Sequence, residues 1–348
     1  MPPFSPGKRV VILGAGASRG ASTSEGKLCQ PPLNADFFTQ LQRITGAKHG
    51  KKVTSVVADI VGLFGPNFSL TMEEYFTQLE SMATMSRIAP SKDRTFSPAE
   101  IREKRDRLMS ALAAVLEVST DVSKKASDVC SHHTAIVDRL DPQDTIISFN
   151  YDCVVDHALR RTGMGKWSAR YGYCFPTPSR VEGYERWSAD DPPAGANKTI
   201  NLLKLHGSLN WQLPSGEGAE TEAIRLKQRL YEQRGTPRFT IIPPEFVKNI
   251  AADPNFEALW RNAERAIRGA EVIALVGFSF TPTDLHVESL FRIALAKSGL
   301  KTLVIANPSQ ADRRRIRSVF ARPLERGCVV RQYDYLSDFA KHLADNPL

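Results

Sequence analysis

The chain reads as an α/β protein: a doubly wound parallel sheet with helices on both faces and an inserted helical module. Three observations predict this. A short β-branched run, Lys8 to Leu13, opens the sequence and ends at a glycine. From residue 144 onward, similar runs alternate with stretches of helical spacing, the alternation that a parallel sheet with crossover helices requires. Between these regions, residues 51–140 show helical spacing only.

Taken in order, the first strand gives way to a loop rich in Gly, Ser and Pro, and Asn34 is placed to cap a helix running to about Thr45. In the middle block, VTSVVADIVGLF, LTMEEYFTQLESMATMSRI and SPAEIREKRDRLMSALAAVLEVSTDV all have apolar residues at helical spacing. Thr71 with Glu74, and Ser97 with Glu100, match capping boxes. DTIISF (144–149) is the next strand and VVDHALRR a helix. Residues 163–199 are loop-rich, 200–205 form a strand, 220–234 read as a polar helix and FTIIPP as a strand. The helix FEALWRNAERAIRGA precedes the apolar strand EVIALVGFSF, DLHVESLFRIALAKSG precedes KTLVIANP, and ADRRRIRSVF precedes CVVRQYD. LSDFAKHLA is the last helix. The division this gives is one domain over 1–50 and 141–348, with 51–140 inserted.

At 348 residues, 42% hydrophobic and 24% charged, the chain can bury a sizeable core without staples. Its five cysteines form no C-x-x-C pair, which argues against a structural zinc or a disulfide framework and fits a reducing cytoplasm. The first residues hold no long apolar run, so neither a secretory signal nor a membrane span is expected. The net charge of +8 favours anionic ligands, dinucleotides and nucleic acid among them. The two basic runs, IREKRDR (101–107) and RRRIR (313–317), fall on predicted helices, where such runs form solvated faces. Cys130-Ser131-His132-His133 has metal-like residues without a second ligand pair and is expected on a helix surface.

The stretch VVILGAGASRGAS (10–22) supports two chemistries. Gly16-Ala17-Ser18-Arg19-Gly20 spells G-x-S-x-G. Yet an elbow serine belongs in mid-sheet, and Asp284 and His286, the acid and base at hand, are neighbours on one helix. Gly26-Lys27 fails as a Walker loop, with Ala21 at the first glycine's place and Leu28 where a hydroxyl should bind magnesium. The dinucleotide fingerprint is incomplete as well. Its third glycine is missing, and a Pro-rich loop replaces the second strand, which disfavours hydride transfer. What remains is a Rossmann-like glycine turn that lets the backbone approach a diphosphate.

Ligands of doubly wound sheets sit at the carboxyl ends of strands, and Gly14, Asn150, His206, Gly277 and Asn307 all fall there. SFNYD (148–152) brings Asn150 and Asp152 to one tip, where helix capping is the plainer use of either. LKLHGSLNW sets His206 before Gly207, an imidazole able to take a proton near pH 7. Gly277, Ser279 and Asn307 suit diphosphate and ribose contacts.

In this order the motifs resemble the sirtuin family: GAGAS for the cofactor loop, SFNYD for Gln-Asn-x-Asp, LHGS for the catalytic His-Gly, GFSF for Gly-Thr-Ser and IANP for the late asparagine. The likeness spans residues 8–50 and 144–332. Phe149 replaces the glutamine, and the two cysteine pairs of the zinc ribbon are absent. The helical block and the missing ribbon resemble instead the sirtuin-like NADases of bacterial antiphage defence. That resemblance implies NAD as substrate, hydrolysed without a metal to nicotinamide and ADP-ribose. It implies that Asn150 orients the ribose and a water, that His206 is the general base, and that Asp152 holds the nicotinamide carboxamide. Gly14, Ala15, Gly16 and Ser18 would hold the diphosphate, and Gly277, Ser279 and Asn307 would line the adenosine half. Asp36 would stand on the ribose side. The resemblance further implies a homo-oligomer and a partner sensor or ATPase, such as a HerA-type translocase or an Argonaute, through which nucleic acid would be met. An NAD-dependent deacylase, or a non-catalytic subunit that binds NAD or a nucleotide signal, are the alternatives from other classes.

Overall fold

The computed structural model describes residues 4, 6–44, 47–88, 95–120, 129–162, 165–177, 179–181, 199–212, 224–226, 240–242, 253–281 and 284–348. Six parallel strands form one sheet: β1 Arg9–Leu13, β2 Thr145–Ser148, β3 Asn201–Lys204, β4 Val272–Val276, β5 Thr302–Ala306 and β6 Val329–Tyr333. They lie in the order β6-β5-β4-β1-β2-β3, the order of a Rossmann-like sheet, with the switch point between β1 and β4. Registers such as Ile12 beside Ile147 and Leu275 stack the aliphatic residues into a fully buried layer.

Helices α1 Ala15–Arg19, α2 Phe37–Gln42, α3 Ala47–Phe64, α4 Met72–Ile88, α5 Pro98–Thr120 and α6 Ser131–Asp138 all come between β1 and β2. After β2 come α7 Val154–Thr162, α8 Pro254–Gly269, α9 Leu285–Leu295, α10 Gln310–Val319, α11 Ala321–Glu325 and α12 Leu336–Asp345. Among the described residues there are two large hydrophobic cores, beside a small cluster of Ala21, Cys130 and Val154. One surrounds the sheet and includes Ile136 and Val137 of α6. The other lies within the helical block, where Phe37 and Leu41 of α2 pack with Ile60, Phe76, Leu79 and Leu112. Among the described residues no helix is long and apolar enough to cross a membrane.

Both expected capping boxes form. The amide of Glu74 donates to Thr71 Oγ1 at 3.2 Å while Glu74 Oε2 accepts the Thr71 amide at 2.7 Å, and Ser97 with Glu100 repeats the pattern. Asn34 does not cap its own helix. Residues 34–36 make a 3₁₀ turn closed by Asp36, whose Oδ1 accepts the Leu33 amide, and Asn34 Oδ1 accepts the Glu73 amide in the first turn of α4. Of the polar helix expected at 220–234, the described part is a strand. Arg225–Leu226 pairs with Trp211–Gln212, which buries Leu226 in the sheet core; the rest lies outside the described residues.

The basic run at 101–107 is largely neutralised inside the helical block. Lys104 and Arg107 both reach Asp59 of α3, at 2.7 and 2.6 Å, and Arg105 reaches Glu80 of α4. The expected surface placement of Cys130 and His133 is corrected. Both are buried, Cys130 at the N-cap of α6 and His133 in its first turn, with His133 Nδ1 at 3.1 Å from Cys130 Sγ. Burial alone would push the thiol up, but the His133 imidazolium and hydrogen bonds from His133 and Ser22 pull it down to about 5.

Candidate functional site

The two loops at the switch point interlock. Gly277 has φ +55°, and a Cβ on it would sit 2.1 Å from the Ala17 amide nitrogen, so the loop after β4 can cross α1 only as glycine. Reciprocally, a Cβ on Gly14 or Gly16 would strike the Gly277 backbone at 2.5 and 2.8 Å. The Gly16 amide donates to the Gly277 carbonyl at 2.9 Å. The steric demand for the GAG glycines therefore comes from the neighbouring loop, and the backbone of Gly14, Ala15 and Gly16 lines the cleft above it.

One residue past β2 the chain turns, and Asn150 comes back over this junction. Its Nδ2 donates to the Gly14 carbonyl at 2.8 Å and to Ser18 Oγ at 2.9 Å. Both amide hydrogens are thus used, and Oδ1 remains the atom with which Asn150 can meet a ligand. Ser18 Oγ donates a hydrogen bond to Asp152 Oδ2 at 2.6 Å. Ser18, expected in the phosphate cradle, is a buried link between Asn150 and Asp152. The hydroxyl donates to a carboxylate and not to an imidazole, unlike that of a triad serine. Asp152 Oδ1 accepts the Val154 amide at 3.0 Å, so this residue caps α7 and faces the site at once.

Beneath this chain lies Lys204, fully buried at the end of β3. It donates to the Asp152 carbonyl at 2.5 Å, to Asp156 Oδ2 at 3.0 Å and to Ser208 Oγ at 2.6 Å. Tyr173 donates to the other Asp156 oxygen at 2.5 Å. Burial works against the ammonium, but the anionic groups around it, Asp156 foremost, together outweigh burial and hold the lysine pKa above its ordinary value. The network fixes the backbone that carries Asp152 to the β3 tip that carries His206.

The His206 ring packs edge-on to Phe149 (5.1 Å between centroids) and stacks with Tyr151 (6.2 Å). Its Nε2 lies 3.5 Å from Asp284 Oδ2. The following glycine is required: Gly207 has φ +82°, and a Cβ there would sit 2.2 Å from the Thr240 carbonyl of the ribbon that pairs with it.

On the other side of the switch point, Asn307 Nδ2 donates to the Phe278 carbonyl at 2.9 Å, and its Oδ1 accepts the Ser309 amide. It holds the β4 and β5 tips together while lining the cleft with Gly277 and Ser279. Asp36 is not brought to the cleft wall. Its carboxylate takes the Leu33 amide, Gln40 Nε2 and Arg19 Nη2, the last at 2.5 Å, and so aligns Arg19, which does line the cleft.

These residues border two adjoining cavities. The inner is about 160 Å³ and is bordered by Ser18, Asn150, Asp152 and His206. The outer, about 720 Å³, runs over Gly14–Gly16 to Gly277, Ser279 and Asn307. Phe149, Asn150 and Asp284 border both. The sequence reading missed the inner chamber's other wall, Met72 and Glu73 of α4 with Leu112 and Leu116 of α5. It also missed Lys204, whose signal was a lone charge inside the apolar run LLKLHG. No protein-family model matches the chain, and no curated protein does.

Proposed function

We propose that this chain is a sirtuin-like NAD⁺ hydrolase that yields nicotinamide and ADP-ribose, and that it acts as an NAD-depleting effector of antiphage defence. The observation that carries the reading is the meeting of Asn150, Asp152 and His206 at a small chamber that opens onto a wider cleft along the same sheet edge. The nicotinamide half takes the inner chamber and the adenosine diphosphate half the outer one. Arg19, the one lysine or arginine among the described outer lining residues, meets the diphosphate together with the Gly14–Gly16 backbone.

The scissile bond is activated by the charge of the pyridinium, so positioning and charge stabilisation supply most of the catalysis. The glycosidic bond breaks with its electron pair going to the ring nitrogen. A water oxygen bonds to the ribose carbon, and His206 accepts the proton that the water loses. Asn150 orients ribose and water through Oδ1, and Asp152 receives the carboxamide. The carboxylates of Asp152 and Asp284 border the chamber in which the oxocarbenium charge develops. Homo-oligomerisation and a partner sensor or ATPase belong to the same reading.

The test is nicotinamide release by the purified chain, alone and with the product of the neighbouring gene, with and without an acyl-lysine peptide. Release without peptide supports hydrolysis. Strict dependence on peptide makes the protein a deacylase, and NAD binding without turnover in every mixture makes it a binding subunit.

A further inference from the structure

The inner chamber is unlike the outer in its charge. Its walls are mostly apolar, from Pro31, Leu33, Met72, Leu112 and Leu116, and the charged residues that border it are Glu73, Asp152 and Asp284. Among the described lining residues there is no lysine or arginine, and the titratable rings are those of His206 and Tyr151. Glu73 is contributed by α4, outside the sheet on which the motifs stand. It is buried, and it is fixed by a two-way clip: Asn34 Nδ2 donates to Glu73 Oε2 at 3.1 Å, and Asn34 Oδ1 accepts the Glu73 amide at 3.2 Å. Asn34 borders both chambers, so the clip holds the carboxylate where the two meet.

A carboxylate held in an apolar pocket discriminates ligands by charge more strongly than one in water, because the low dielectric strengthens each Coulomb term. Phe149 and Tyr151 add aromatic rings to the lining, a residue type that attracts cations. We infer that Glu73, a residue of the helical block, makes the inner chamber selective for a cationic ring, so that the pyridinium half of oxidised NAD enters and the neutral nicotinamide product leaves. This rests on the reading that the nicotinamide half occupies this chamber. The helical block then does more than roof the site, because it supplies the group that sets substrate charge.

The experiment compares two probes that need no turnover: 1-methylnicotinamide, a cation, and nicotinamide, its neutral counterpart. Their dissociation constants are measured by calorimetry on the full chain. The wild type binds the cation at least about tenfold more tightly. Glu73→Gln, which keeps the clip to Asn34, brings the two within about threefold and leaves nicotinamide binding unchanged, whereas Glu73→Asp keeps the preference. Where Glu73→Gln does not fold, Glu73→Met is read in its place. Equal binding of both probes by the wild type overturns the inference, as does a preference that survives loss of the carboxylate. NAD cleavage is followed in the same preparations. Cleavage without charge preference counts against Glu73 alone, and charge preference without cleavage counts against hydrolysis alone.

Discussion

The inner and outer chambers share a wall but are built from different kinds of contact. In the outer chamber the polar groups mostly join one strand tip to the next: Asn307 to Phe278, Gly16 to Gly277. In the inner chamber they form one chain, Asn150 to Ser18 to Asp152, anchored from below by Lys204 and closed from above by the helical block. Such a difference separates affinity from chemistry. Contacts along the wide cleft hold a ligand equally in its ground and transition states, whereas groups fixed around a small chamber can act on the reacting bond.

Replacements on the two sides should therefore part company in kinetics. The largest effect is expected inside, where His206→Ala lowers kcat for nicotinamide release by roughly 10²–10⁴-fold with a small change in KM. Steady-state assays of the folded variant check this, and a change confined to KM would erase the distinction between the chambers. Next comes the anchor. Lys204→Met leaves Asp156 buried without its cation and should cost about 3–5 kcal/mol of stability, read from urea unfolding. A loss below about 1 kcal/mol would mean that the network does not hold the site.

A smaller effect belongs to the outer chamber. Ser279→Ala should raise KM by severalfold, about 1 kcal/mol, at unchanged kcat. A fall in kcat instead would place Ser279 with the chemistry. The smallest concerns the roof. Burial would raise the Asp59 pKa, but hydrogen bonds from Arg107 and Lys104 pull it below the usual carboxylate range. A lowered folded pKa stabilises fully above the unfolded value near 3.8, and that contribution fades as pH falls through the folded value. The tie between α3 and α5 should thus weaken only below about pH 4. Comparing wild type with Asp59→Asn, thermal melts should differ at pH 7 and converge in acid. A difference that persists unchanged at pH 3 would contradict the assignment.

The sheet was legible because short β-branched runs ending in glycine or asparagine have few other uses, and every residue singled out at a strand tip stands just past a strand. The reasons attached to some of them were less legible. Gly14 and Gly16 read as room for a phosphate, yet their space is filled by the Gly277 loop, a contact between residues over 250 positions apart that local sequence cannot show. Ser18 and Asp36 read as ligand-facing groups, and their hydrogen bonds to Asp152 and Arg19 are tertiary contacts that local sequence does not display. The helical block looked separate because its own apolar spacing accounts for its fold. That Met72, Glu73 and Leu112 border the inner chamber is a matter of tertiary packing, with no local mark in the sequence.

The central claim is that the strand-tip constellation cleaves NAD, and Asn150 tests it most directly, because its amide joins the Gly14 loop, Ser18 and the chamber. Nicotinamide release from NAD⁺ is measured for wild type and Asn150→Ala under the same conditions, with ADP-ribose binding as the control for an intact cleft. The account predicts release by the wild type without any acyl-lysine peptide. It predicts a rate at least about 100-fold lower for Asn150→Ala, with ADP-ribose affinity held within about threefold. An Asn150→Ala chain that releases nicotinamide at the wild-type rate would contradict it.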